Sequence, residues 1–247
     1  TLLCLNFLVP LVVPFPLFLL HPVLPFPSDM KKIIMSLLAA ATLTTPALAD
    51  SKITKGFKTM DAMGCMLLRE CTDGVDKVKN ITDIADQYPD IDYSIVADEF
   101  NTMLVALGKV GVNVFLADSK YFPVGHRGVY HTVGNNFFLN KNHMGSTNYL
   151  MQVMRHEGWH AAQDCMAGSI KNSLIAIIKP EDEVPMIWRV MAERTYPEHA
   201  VPWEAEAGWA GRTEGMTMQA LQACAAGEMW KVYEPTPLTR KYLVEEG

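Results

Sequence analysis

The chain carries little charge and no excess of cations. Charged residues make up 19% of its 247 positions, and Asp and Glu outnumber Lys and Arg by 27 to 21. A protein that neutralises a run of phosphates needs a basic face, so no nucleic-acid partner is expected. Internal repeats are absent, which excludes solenoids and propellers. No two cysteines stand in a C-x-x-C pair, which removes the usual thiolate zinc and redox motifs. Residues 1–28 hold no charged side chain, yet Pro10, Pro14, Pro16, Pro22, Pro25 and Pro27 interrupt them. Proline at that density breaks the hydrogen-bond ladder of a membrane-spanning helix. Residues 1–29 therefore read as an upstream extension outside the fold, and no stable membrane anchor is expected.

What the sequence does contain begins at Met30. Lys31 and Lys32 form a positive start, Ile33 to Leu43 an apolar run, and Ala47-Leu48-Ala49 a small-residue cleavage site. That order is the pattern of a secretory signal peptide over residues 30–49. The expected mature chain is a single domain, 50–247, exported to a periplasmic or extracellular space. It keeps Cys65, Cys71, Cys165 and Cys224. An even number of cysteines in an oxidising compartment predicts two disulfides, with all three pairings open. Cys65 and Cys71 can pair only if a helix stops between them, because six helical residues separate them by about 9 Å.

Apolar periodicity predicts helices over 51–70, 75–88 and 90–107, the last ended by Gly108. The period then becomes extended. Val112 to Leu116 reads as a strand, and residues 121–140 as a two-strand ribbon turning near Gly134-Asn135-Asn136. A long helix follows over 146–166, capped by Ser146 or Thr147 and closed by Gly168. Shorter helices are expected over 170–178 and 183–194, and one glycine-weakened helix over 202–226. The expected fold class is α+β, a helix-rich domain with one small sheet packed beside the long helix.

The long helix contains Arg155-His156-Glu157-Gly158-Trp159-His160. Residues four apart share a helix face, so His156 and His160 can bind one ion. Glu157, beside the first histidine, can act as general base. Random placement of the same residues would produce H-E-x-x-H roughly once in a hundred such chains. A catalytic zinc needs a third protein ligand. Pro202-Trp203-Glu204-Ala205-Glu206-Ala207-Gly208-Trp209-Ala210 offers two carboxylates among small residues that allow close helix packing. The two lie about 200° apart around a helix, so only one can face the histidines. Glu204 is the expected ligand because Ala207 and Ala210 follow it at three-residue steps, and Glu206 is the fallback.

HEGWH followed by WEAEAGWA resembles the gluzincin branch of the zincin metallopeptidases. The resemblance spans Val112 to about Ala210 and implies a Zn2+ cofactor held by His156, His160 and Glu204. It implies hydrolysis of a peptide or protein substrate by zinc-activated water, with Glu157 as general base. It also implies an oxyanion donor, for which Tyr196 and His199 are the candidates, and a substrate-binding edge strand at Val133 to Leu139. Gly208 stands where the family often has Asp or Asn to orient a ligand histidine, and Asp164 is the candidate replacement. No third histidine follows in the metzincin manner. His126, His131 and His143 read as structural or substrate-facing, and Met151 and Met154 as core filling. The alternative to a peptidase is an exported binding protein that keeps the fold but not turnover.

Overall fold

The computed structural model describes residues 61–168 and 175–236. The segments expected to be an upstream extension and a signal peptide, and the first part of the first expected helix, lie outside the described residues, as do 169–174 and the tail from 237.

Val114 and Leu116 of one strand point to one face of a sheet, Phe115 and Ala117 to the other, and all four are buried. That period-2 pattern with both faces apolar marks an interior strand. This strand, β2 (Asn113–Ala117), pairs antiparallel with β1 (Val75–Lys77) and parallel with β4 (Asn136–Asn140). β3 (Gly128–His131) closes the mixed sheet as an edge, giving the order β1-β2-β4-β3. The ribbon turns where expected, with Asn135 in the left-handed region at φ 49°.

The helices among the described residues are α1 (Ala62–Leu67), α2 (Thr82–Ala85), α3 (Ala97–Lys109), α4 (Thr147–Met166), α5 (Met186–Glu193), α6 (Val201–Arg212), α7 (Met216–Ala225) and α8 (Met229–Val232). The fold is thus α+β, as expected. The main core lies between one sheet face and α3, α4 and α7, around Trp159, Phe100, Phe137 and Leu150. Each such side chain contributes roughly 1.5–3 kcal/mol on burial. A second cluster, with Met63, Met66, Tyr121 and Phe122 over Phe115 and Phe138, covers the opposite face. No helix among the described residues is long and apolar enough to cross a membrane.

Both disulfides form: Cys65–Cys71 and Cys165–Cys224. α1 ends at Leu67, which lets the chain turn back between Cys65 and Cys71. The second bridge ties the end of α4 to α7.

Several expectations fail for local reasons. Residues 75–77 are strand, because β2 offers an open edge and Val75 is β-branched; the helix shrinks to one turn at α2. The helix over 90–107 begins later, after a 3-10 turn at Ser94–Val96, and runs through Gly108. The single helix over 202–226 splits into α6 and α7 at Gly215, whose φ is +79°. Within the expected 170–178 helix, residues 175–178 are not helical, and Ile178 N–H donates to the Glu206 carboxylate of α6 instead of to a local backbone carbonyl. Val133 to Leu139 is not an edge strand: its first residues form the turn, and Phe137-Phe138-Leu139 lies between β2 and β3. The edge beside α4 is β3.

Candidate metal centre

α4 supplies the histidines. Its packing is nearly all-round, with Trp159, Ala161 and Ala162 fully buried, so the motif sits inside the protein rather than on a wet face. Arg155 anchors the helix to α3 through two hydrogen bonds to the Glu99 carboxylate, each 2.6 Å. Gly158 allows α7 to approach: a Cβ there would meet Thr217 Cγ2 at 3.0 Å.

α6 supplies the carboxylate of the group. Pro202 lies in its first turn, where a missing N–H costs nothing. Glu204, Ala207, Gly208 and Gly211 follow at helical spacing. A Cβ on Gly211 would lie 3.0 Å from the Gln152 carbonyl and 3.3 Å from His156 Cβ. Glycine at that point is what lets α6 reach α4 closely enough to bring Glu204 to the histidines. Gly208 lines the cleft instead of supplying an orienting carboxylate; a Cβ there would meet the Trp188 ring at 3.2 Å.

His156, His160 and Glu204 come together and are all buried. The separations are 3.2 Å between the two Nε2 atoms, 3.3 Å from His156 Nε2 to Glu204 Oε2, and 3.6 Å from His160 Nε2 to the same oxygen. A tetrahedron with bonds of 2.0–2.1 Å has edges of about 3.3 Å. The triangle of these donors has a circumradius of about 2 Å, so one ion can touch all three. The other polar atoms agree. Both Glu204 oxygens are buried without a hydrogen-bond donor, an arrangement that is costly unless a cation completes it. The group can therefore hold a metal ion.

His160 is oriented from behind. Its Nδ1 lies 2.8 Å from Gln163 Oε1. Gln163 Nε2 donates to Glu206 Oε2 (2.7 Å) and to the Trp203 carbonyl (3.1 Å), which fixes the amide with its oxygen toward His160. An amide oxygen only accepts, so Nδ1 carries the hydrogen and, in the neutral ring, the Nε2 lone pair faces the other donors. Glu206 faces away from the histidines and accepts from Trp159 Nε1, Gln163 Nε2, Ile178 N and Lys179 N. Asp164 does not orient a ligand: its Oδ2 accepts from the Tyr130 hydroxyl at 2.7 Å. Gln163 was missed from sequence. Its place three residues after His160 was the available signal, but an amide carries no spacing rule of its own.

The charges respond to one another. Burial opposes charge on both groups, yet Glu204 holds His160 up at about 9, while the histidines pull Glu204 down to about 2. Glu157 is fully buried, and burial pushes its carboxyl up against the opposing pull of His156 and His160. It also receives a hydrogen bond from the Tyr130 backbone of β3. Gly128, whose added Cβ would fall 2.6 Å from Val153 Cγ1 and 3.3 Å from Glu157 Cγ, lets β3 press this close.

A cavity of about 330 Å³ opens onto the group, lined by His156 and Glu204 together with Arg127, Gln152, Val153, Trp188, Met191, Ala192, Thr195, Tyr196, Gly208, Gly211 and Arg212. Tyr196 is among its walls. His199 is not: it is exposed on a 3-10 turn, its ring 6.0 Å from Trp203. Glu157 and His160 do not line it either. His126, His131 and His143 stand outside the metal group, and Met151 and Met154 are core. In comparisons with known proteins, no family model, no curated protein and no solved structure matches this chain.

Proposed function

We propose that the protein is an exported zinc-dependent peptidase with His156, His160 and Glu204 as the metal ligands. The observation that carries this reading is a buried donor triangle of tetrahedral dimensions, built on an H-E-x-x-H helix and opening onto a cavity. Zinc suits two imidazoles and one carboxylate with a position left open. What the ion supplies when bound is Lewis acidity toward water and toward a carbonyl oxygen.

The chain's own groups do the rest. Glu157 takes a proton from the attacking water and returns it to the leaving amine. Burial pushes its carboxyl up, which suits a group that must take a proton. Gln163, held by Glu206, keeps His160 in the tautomer that presents Nε2. Tyr196 lines the cavity and is the donor assigned to the oxyanion; the exposed His199 is set aside. The two disulfides are consistent with an oxidising, exported location.

One observation favours a second reading, a metal-holding binding protein without turnover: Glu157 is closed off by β3 and does not border the cavity. Metal content and hydrolysis of a mixed peptide library, measured for wild type and Glu157→Gln, decide between them. One zinc per chain in both, with peptide cleavage only by wild type, supports the peptidase. Stoichiometric zinc with no cleavage by wild type supports the binding protein.

A further inference from the structure

The cavity beside the metal group has an unusual charge content. Its single lining carboxylate, Glu204, is committed to the histidines. Two guanidinium groups, Arg127 and Arg212, line the same space. Neither has an ion-pair partner among the described residues, whereas Arg155 and Arg189 are each paired with a Glu. Arg127 is half-buried, stacked with its Cζ 4.3 Å from the Tyr149 ring centroid, and its charge pushes the nearby His143 down after burial has done the same. A stacked guanidinium keeps its fork of donors in a fixed orientation that matches a carboxylate. Trp188 and Met191 add apolar surface to the same lining.

Resting on the peptidase reading for the word substrate, we infer that this cavity selects anionic peptides. A carboxylate of the substrate pairs with Arg127 and Arg212, and a neighbouring apolar side chain packs on Trp188 and Met191. The carboxylate can be the chain terminus or an acidic side chain; the chemistry that recognises it is the same.

The test uses three probes on the zinc-loaded Glu157→Gln protein, whose binding is read by calorimetry. They are acetyl-Ala-Ala-Phe-Ala as free acid, the same peptide as its amide, and acetyl-Ala-Ala-Phe-Glu amide. At low salt, at least one carboxylate-bearing probe binds about tenfold or more tightly than the neutral amide, and the preference shrinks as salt is raised. Which of the two carries the gain identifies the terminal or the side-chain carboxylate. Arg127→Gln and Arg212→Gln each reduce the preference, and the double variant removes it while zinc content stays unchanged. Equal affinity for all three probes, or a preference that survives in the double variant, overturns the inference. The two readings separate in the wild type. Hydrolysis of all three probes at equal kcat/KM keeps the peptidase and removes the anion site. Discrimination in binding with no hydrolysis keeps the anion site and removes the peptidase.

Discussion

Glu204→Gln and Glu206→Gln differ by two positions in one helix and should have opposite rank in their effect on the metal. Glu204 Oε2 stands 3.3 and 3.6 Å from the two histidine nitrogens, and neither of its oxygens has a hydrogen-bond donor. The amide keeps the size but removes the charge and presents one neutral oxygen. Structural zinc sites are worth about 10–16 kcal/mol shared over three or four ligands, so one charged ligand accounts for roughly 3–4 kcal/mol, or on the order of 10²–10³-fold in affinity. Glu206 reaches the metal group only through Gln163 and His160, and outer-shell partners of this kind are worth about 10–100-fold. Glu206→Gln also places an NH2 group against converging donors, stranding at least one of them at a cost of about 1–3 kcal/mol. The assay is zinc affinity by competition with a chelator of known strength, with circular dichroism to show that both variants fold. The expected order of affinity is wild type, then Glu206→Gln, then Glu204→Gln. A site emptied by Glu206→Gln and left intact by Glu204→Gln would refute the ligand assignment. Stoichiometric zinc in both His156→Ala and His160→Ala would refute the site itself.

Glu157→Gln should retain its zinc and lose peptide hydrolysis by about 10²–10⁴-fold, the usual worth of a positioned acid–base group; activity within a few-fold of wild type would remove Glu157 from the mechanism. Asp164 is held up at about 8, by burial against the opposing Tyr130 hydrogen bond. A folded-state value above the unfolded one means stability that is full below about pH 4 and lost as pH rises through 8. Unfolding free energies of wild type minus Asp164→Asn should therefore fall across that window by at least about 1.4 kcal/mol, the worth of one pKa unit, and a flat difference would contradict the burial argument. The disulfides should differ as their loops do: with separations of 59 and 6 residues, replacing Cys165 and Cys224 by Ser should cost about 4 kcal/mol and replacing Cys65 and Cys71 about 2 kcal/mol in chemical denaturation. The reverse order would show that native-state interactions, not chain entropy, dominate.

The parts of the site legible in sequence are those governed by local periodicity. His156 and His160 share a face because a helix repeats every 3.6 residues, and the same geometry separates Glu204 from Glu206. Ala207 at a three-residue step from Glu204 marked the packed side of α6, and it is fully buried. The two disulfides followed from an even cysteine count, although their pairing depended on where α1 stops and on α4 meeting α7. What escaped was set by contacts between distant segments. Val75 to Lys77 is too short to announce itself as a strand and exists because β2 has an edge to offer. Gly211 read only as a weakness in its helix and Gly128 carried no signal of its own, yet each is where another backbone or side chain passes within 3.3 Å of the missing Cβ.

The misassigned cleft strand shows the same limit most sharply. Phe137-Phe138-Leu139 attracted attention as an extended apolar run just before the metal helix, but residues buried on both faces are the mark of a strand with neighbours on both sides. The strand that can lie along a cleft must keep one edge open, and it therefore mixes small and polar residues: Gly128-Val129-Tyr130-His131. This strand bonds to Glu157 through the Tyr130 backbone and holds Asp164 through the Tyr130 hydroxyl, two contacts on one helix about two turns apart. On the peptidase reading, access to Glu157 depends on β3, a segment whose importance follows from its position at the sheet edge and not from any residue pattern it carries.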